Sequence, residues 1–356
     1  MSPHRNKVST AETDVLYVRP SMRGALPRQE VRPHPRTITW VGASALALGG
    51  SNRVIFLIGA LLLAQGTMAV PLLAVGLILS YMAAPGWIEL SCMFPNRVGG
   101  IAATCAEAFR PYSAVISNLT GVCYWWGWVP TCGLTAILSA EAIHQWYLPH
   151  ASVKLMATAI VLAFTAVNLC GLRWAVRVAK PIALIAFVLA LCSGLIPVLT
   201  GHVDWHRALD FQLKSPFGGT FGHLTSVMAG LYLIGFAAPA FEAAACHIGE
   251  MKDPAFDQPA AVWFSGGMAS VFFILLPVVW LGFYGPGPLE GNLAAMLGPT
   301  FAPVFGSLAK AAAVGFVAFN MFCGTLQPLS GGVSDPVAAL RGRSAPPEPR
   351  LPQSPD

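Results

Sequence analysis

Two charged side chains lie within long apolar stretches of the sequence. Arg53 is in the first stretch, and Glu242 is in the sixth, three residues after Pro239. Ionisable groups in such surroundings are costly and are functional candidates by default. A guanidinium there binds either a carboxylate ligand or an acid of the protein, and we favour the second. A carboxylate there binds a substrate amine, carries a proton or pairs with Arg53, and we favour a functional role for Glu242.

Helix-breaking residues accompany both charges. The residues before Arg53 are Gly49, Gly50, Ser51 and Asn52. Pro239 removes a helical hydrogen bond and clashes with the preceding turn. A broken helix inside a membrane must face protein or a water-filled cavity, and secondary transporters bind substrate between two such breaks. The alternative for the glycines is that they only allow close helix packing.

Composition indicates a membrane protein. Of the 356 residues, 55% are hydrophobic and only 10% are charged, whereas a soluble domain has about 25% charged residues. The apolar runs are long enough to cross a bilayer, which takes about 20 residues. The net charge is +5, but most charged residues lie in tails and loops and form no folded basic face. We therefore expect no nucleic-acid partner. The eight cysteines have no metal-ligand spacing, so we expect packing roles, no metal and no other cofactor.

The apolar runs predict an all-α integral membrane protein with about eight transmembrane helices, the first and sixth broken. The runs are 38–65, 69–92, 113–141, 153–172, 180–200, 224–247, 261–284 and 300–329. They define a membrane region, 38–330, between a disordered N-terminal tail, 1–37, and a Pro- and Arg-rich tail, 331–356. Sixteen of the 21 Lys and Arg residues fall on one side if both tails are cytoplasmic. The positive-inside rule therefore predicts cytoplasmic tails and an external loop at 201–223.

Catalytic motifs do not account for the charged residues. No HExxH, GxSxG or P-loop pattern occurs in the sequence, which argues against familiar hydrolases and ATP-driven pumps. We therefore expect a transporter, with an intramembrane enzyme as a remote alternative. Asn320 in the last apolar run is a candidate ligand for substrate or ion, with a hydrogen bond between helices as the equal alternative.

Three stretches resemble the amino acid–polyamine–organocation (APC) permease superfamily. Glu89 to Gly100 is similar to the E-L-x-x-x-F-P-x-x-G-G loop of these proteins with one residue inserted, and Tyr124 to Trp128 is similar to their Y-W-x-x-W. Phe236 to Glu242, followed by Gly249 to Pro254, resembles the break of their sixth helix and the loop after it. The likeness runs from about residue 38 to 330.

The resemblance implies a LeuT-type fold, a five-plus-five inverted repeat, in the cell membrane. It implies uptake or exchange of an amino acid or related amine, coupled to Na⁺ or H⁺. The implied substrate-binding residues are Gly49, Gly50, Ser51, Asn52, Gly127, Trp128, Phe236, Ala237, Ala238, Pro239, Ala240 and Glu242. Arg53, Glu242 and Asn320 are candidates for a charge pair or for coupling.

The sequence also departs from that family. Asn52 and Arg53 stand where the family has the start of a G-S-G-I-F stretch, Ala240 replaces a usual glycine, and Ala186 falls near a lysine of proton-coupled relatives. Relatives have about twelve helices, so about eight indicate a shortened permease with a partial repeat. We accordingly expect this chain alone to transport poorly or not at all. The alternative to a transporter is a non-transporting fragment of such a permease, one that needs a partner, such as a second copy.

Overall fold

A computed structural model describes residues 35–96, 99–237, 241–289 and 297–332. Within these ranges nearly every residue outside short connections is helical. The β pairing found there is a single parallel bridge between Ile38 and Met251. The prediction of an all-α membrane fold is therefore confirmed.

The helices follow one another with short connections. In chain order they are α1 (Trp40–Ser51), α2 (Val54–Gln65), α3 (Ala69–Cys92), α4 (Gly100–Phe109), α5 (Ala114–Trp146), α6 (Val153–Leu169), α7 (Leu172–Leu199), α8 (Trp205–Ala208), α9 (Gly219–Ala237), α10 (Pro254–Ser270), α11 (Leu276–Tyr284), α12 (Pro286–Leu289), α13 (Gly298–Phe305) and α14 (Ala309–Gly332). Short 3₁₀ turns at Gly66–Met68 and Gly306–Leu308 separate α2 from α3 and α13 from α14. A π-helical turn, Val271–Leu275, joins α10 to α11.

Four helical stretches are long and apolar enough to cross a membrane, by length and composition, among the residues described. They are Trp40–Cys92, Leu172–Leu199, Pro254–Tyr284 and Gly298–Ser330. The first has 53 residues and contains both the first and the second predicted span. Gly66, with a φ of 68°, ends α2 between them. The count of eight spans remains a prediction.

The last long helix, α14, packs against α5, α7 and α1. Small residues make the close approach possible. A Cβ atom at Gly49 of α1 would lie 2.1 Å from the carbonyl oxygen of Cys323, and one at Gly324 would lie 2.8 Å from Cγ2 of Thr135. The Thr135 and Thr325 hydroxyls are 2.9 Å apart at the same crossing. This packing brings the end of α1 together with the middle of α5 and α14.

Candidate substrate site

The first predicted break separates α1 from α2. Asn52 and Arg53 lie between the helices with φ, ψ of −73°, −8° and −61°, −24°. The Arg53 N–H bonds to the Gly50 carbonyl three residues back, and Ile55 bonds to Asn52 in the same way. The interruption is therefore a short tightening of the helix, which turns two side chains, Asn52 and Arg53, into the protein core.

Arg53 is only 2% exposed. Its guanidinium carbon lies 4.2 Å from the ring centroid of Trp128 on α5. Its Nη2 donates to Oε1 of Gln327 on α14 at 3.2 Å, and its buried Nε has no hydrogen-bond partner. Among the described residues, the guanidinium is thus held by an aromatic face and a neutral amide.

Glu242 lies at the start of a 3₁₀ segment, Phe241–Glu250, that follows the second predicted break. Its side chain is partly exposed and interacts electrostatically with Arg53, Tyr124 and Cys246. In the described part of the chain, however, no Arg53 nitrogen lies within 4.0 Å of a Glu242 carboxylate oxygen. The two residues attract one another without forming the contact ion pair that we favoured from the sequence.

A cavity of about 280 Å³ is lined by residues that interact with the two charges. Its walls come from α4, α5, the 3₁₀ segment and the end of α14, and they are Gly99, Ala102, Ala103, Ala106, Gly121, Tyr124, Trp125, Trp128, Val129, Cys246, Gln327 and Pro328. Trp128 and Gln327 contact Arg53, whereas Tyr124 and Cys246 interact with Glu242. The Tyr124 hydroxyl and the Cys246 sulfur are 3.6 Å apart. Tyr124 also interacts electrostatically with Arg53, so the cavity wall is in contact or in electrostatic interaction with both charges.

Two buried amides meet beside the first break. Asn52 Nδ2 donates to the backbone oxygen of Asn320. Asn320 Nδ2 donates to the Phe316 carbonyl at 2.8 Å and to the Ala186 carbonyl at 3.3 Å. The side-chain oxygens of both asparagines are buried and have no hydrogen-bond partner. Since buried polar atoms are nearly always satisfied, two such oxygens at one helix break call for an explanation.

The profile of the amino acid permease family matches residues 38–339. The chain belongs to the amino acid permease family. The matched segment covers the whole helical region described above, including the first break, Glu242 and the cavity. No curated protein matches the chain.

Other predicted site residues of this permease lie in different surroundings. Gly49 is a helix-packing residue against Cys323, and Gly50 and Ser51 are buried in the last turn of α1. Gly127 is exposed, and a Cβ there would meet no atom within 4 Å, so it does not line the cavity beside Trp128. Phe236 and Ala237 end α9. Ala238, Pro239 and Ala240 lie outside the described residues.

Three cavity residues of the permease were missed as binding residues by the sequence analysis. Tyr124 entered only as part of a family motif, Cys246 only as one of eight cysteines with expected packing roles, and Gln327 not at all. A signal for Gln327 does exist in the sequence. It follows Asn320 by seven residues, so the two polar side chains share one face of α14, together with Cys323. That face meets the first break.

Proposed function

We propose that this amino acid permease carries zwitterionic amino acids through the cavity between α4, α5 and α14. In this proposal Arg53 binds the substrate carboxylate and Glu242 binds the substrate amine. Trp128 holds the guanidinium in place, and Tyr124 and Cys246 form the wall on the amine side. The permease family supports the coarser statement, transport of amino acids or amines.

The observation that carries the proposal is the separation of the two opposite charges. A contact pair would satisfy both groups within the protein and leave neither for a ligand. Here Arg53 and Glu242 attract one another with no contact between them, and each interacts with residues that line one cavity. A zwitterion has an anion and a cation at short separation, so it complements this arrangement at both ends. Arg offers a planar fork of donors that matches a carboxylate.

Coupling to sodium forms the second part of the proposal. The unpaired oxygens of Asn52 and Asn320 are hard, neutral oxygen donors beside the end of the half-helix α1. Transporters with broken helices coordinate Na⁺ at the C-terminal ends of half-helices and at unwound carbonyls. We expect these two amide oxygens to contribute to a site for co-transported Na⁺. In this proposal Asn320 binds the cation and not the substrate.

The experiment is uptake by purified protein in liposomes, with inward gradients of Na⁺ or H⁺ imposed separately and a panel of radiolabelled amino acids. The expected result is weak but saturable accumulation of at least one zwitterionic amino acid that depends on the Na⁺ gradient. Accumulation driven by H⁺ alone would contradict coupling to Na⁺ but would still agree with amino acid transport. No accumulation of any amino acid or amine under either gradient, despite intact folding, would contradict transport.

A further inference from the structure

A second cavity, of about 410 Å³, is formed by the residues before α1, the start of α7 and Lys252. It is lined by Arg36, Thr37, Ile38, Thr39, Arg173, Val176, Arg177, Lys180 and Lys252. Its volume is in the range of small-molecule sites, which is about 300–1,000 Å³. Neither amino acid binding nor sodium coupling uses any of these residues.

Backbone pairing holds one wall of this cavity. The N–H groups of Thr37 and Ile38 both donate to the Glu250 carbonyl, at 2.8 and 3.1 Å, and the Lys252 N–H donates to the Ile38 carbonyl at 2.9 Å. The facing wall is fixed where Val176 of α7 packs on Gly42 of α1. The cavity is thus formed by ordered backbone on both sides.

Five of the nine lining residues are cations, and none is an acid. Arg36 donates to two neutral acceptors, the Met251 carbonyl and Oδ1 of Asn96. Arg173, Lys180 and Lys252 are exposed and, within the described ranges, make no ion pair. The side chains at one cavity therefore repel one another without an internal counter-charge.

The positions on α7 make this repulsion more costly. Arg173 and Arg177 are four residues apart, a spacing at which like charges destabilise a helix. Both lie in the first two turns of α7, beside the positive end of the helix dipole. A bound anion would relieve both effects. The positive-inside rule explains why Lys and Arg occur at this end of the helices, but it does not explain why five of them converge on one cavity.

The face of α7 that contains these cations continues as an apolar stripe. Positions 173, 177 and 180 are followed on the same face by Leu184, Val188 and Leu195, which are 64%, 45% and 41% exposed. Trp174 is half-exposed beside Arg177, whose guanidinium lies 4.7 Å from the ring centroid. Exposed tryptophans of this kind mark the level of the lipid headgroups. A ligand with an anionic head and apolar chains fits the order of residues along this face.

We propose that this cavity binds the phosphate of an anionic phospholipid, with the acyl chains lying along the Leu184, Val188 and Leu195 stripe of α7. Free phosphate carries the same anionic group as the lipid head, so the cations alone do not distinguish the two ligands. The apolar stripe favours the lipid. Basic cavities between membrane helices are known to suit anionic headgroups. The bound lipid would join the residues before α1 to α7 and to the loop that begins at Lys252.

The test uses native mass spectrometry of the full chain in micelles with added phosphatidylglycerol or phosphatidylcholine of the same acyl chains. The wild type is expected to retain phosphatidylglycerol selectively. The variants Arg177→Gln and Lys180→Gln should each lower its affinity about fivefold, since one Lys or Arg near an anionic lipid surface has an effect of that size. The matched control is Lys154→Gln at the start of α6, which removes one exposed lysine remote from the cavity and should change nothing.

Three outcomes would overturn the proposal. Equal retention of the two lipids would show that the negative charge is not recognised. Equal losses in Lys154→Gln and Lys180→Gln would show that only net charge matters. Displacement of phosphatidylglycerol by inorganic phosphate at equal concentration would assign the cavity to free phosphate. Because Lys180 is exposed and makes no ion pair among the described residues, its variant should fold, which a thermal unfolding curve of each protein would check.

Discussion

The guanidinium of Arg53 lies over the indole ring of Trp128, with 4.2 Å between the guanidinium carbon and the ring centroid. This contact joins the break in the first helix pair to the middle of α5. Of the guanidinium nitrogens, Nη2 donates to Gln327, and Nε has no hydrogen-bond partner. Arg53 is therefore held in place and keeps an unpaired hydrogen-bond donor that a carboxylate can use.

Substrate analogues should separate the roles of Arg53 and Glu242. Arg53→Gln should weaken binding of a zwitterionic amino acid and of its deaminated carboxylate analogue by roughly tenfold to a hundredfold, because a hydrogen bond to a charged group contributes about 1.5–3 kcal/mol. Glu242→Gln should weaken binding of the zwitterion to a similar extent, yet leave the deaminated analogue unaffected. Equilibrium binding of the labelled compounds to purified protein measures both effects.

Lys310→Gln is the control for this pair of variants. Lys310 also stacks on a tryptophan of α5, with its Nζ 4.3 Å from the ring centroid of Trp146. Its loss therefore removes a cation–π contact of the same kind without touching the cavity. Binding of both compounds should be unchanged in Lys310→Gln. If Glu242→Gln weakened the deaminated analogue as strongly as the zwitterion, Glu242 would not be the amine ligand.

Replacement by alanine should change the stability of the protein in opposite directions at two glycines, Gly49 and Gly127. In Gly49→Ala the new Cβ would fall 2.1 Å from a backbone oxygen of α14, and backbone cannot move aside cheaply. Overpacking of this kind destabilises by about 1–3 kcal/mol. In Gly127→Ala the Cβ meets open space, and the change should stabilise α5 by about 0.5–1 kcal/mol. Thermal unfolding in detergent should thus move down for Gly49→Ala and up, or not at all, for Gly127→Ala. A lower transition for Gly127→Ala would contradict its outward position.

The sequence located the first break to within a few residues but left the role of its glycines open between ligand binding and helix packing. Glycines suit both a ligand-binding loop and a close helix crossing, so their identity alone cannot separate these uses. Gly49 packs against α14, and the break falls at the next polar residues, Asn52 and Arg53. Only the position of a helix more than 250 residues away in the chain, α14, distinguishes the two.

The charge pair was harder to predict than the helices. Apolar runs reveal helices because a segment that crosses lipid must be apolar over about 20 consecutive residues, which is a local property of the sequence. Whether Arg53 touches Glu242 depends on how far apart α5 and α14 hold the two segments, and no local pattern records that distance. Trp128 and Gln327 take up the contacts of Arg53 that we expected from an acid. The position of Asn320 and Gln327 on one face of α14 was the sequence signal that could have identified Gln327 as a neighbour of Arg53.

Orientation in the membrane can be tested with two single cysteines. Asp210→Cys in the loop between α8 and α9 should react with a membrane-impermeant maleimide added outside cells, and Asp253→Cys before α10 should react only after permeabilisation. Both positions are exposed, so access depends on the side of the membrane. The background should have the eight native cysteines replaced by serine. Reaction of residue 253 from outside would reverse the predicted topology.

Sodium dependence should be most sensitive to Asn320. Its side-chain oxygen is buried and unpaired, and the amide nitrogen is already held by two backbone carbonyls, so the oxygen direction is fixed. A preoriented, unsatisfied oxygen beside a half-helix end is suited to bind a cation. Asn320→Ala should raise the Na⁺ concentration for half-maximal uptake by about tenfold, since loss of one contact of hydrogen-bond type to a charged group costs about 1.5 kcal/mol or more.

Gln65→Ala is the matched control, because the Gln65 Oε1 is likewise buried and unpaired but lies at the far end of α2. Uptake in liposomes over a Na⁺ series measures both. An equal shift in the two variants would indicate general destabilisation, and no shift in Asn320→Ala would exclude its oxygen from the Na⁺ site.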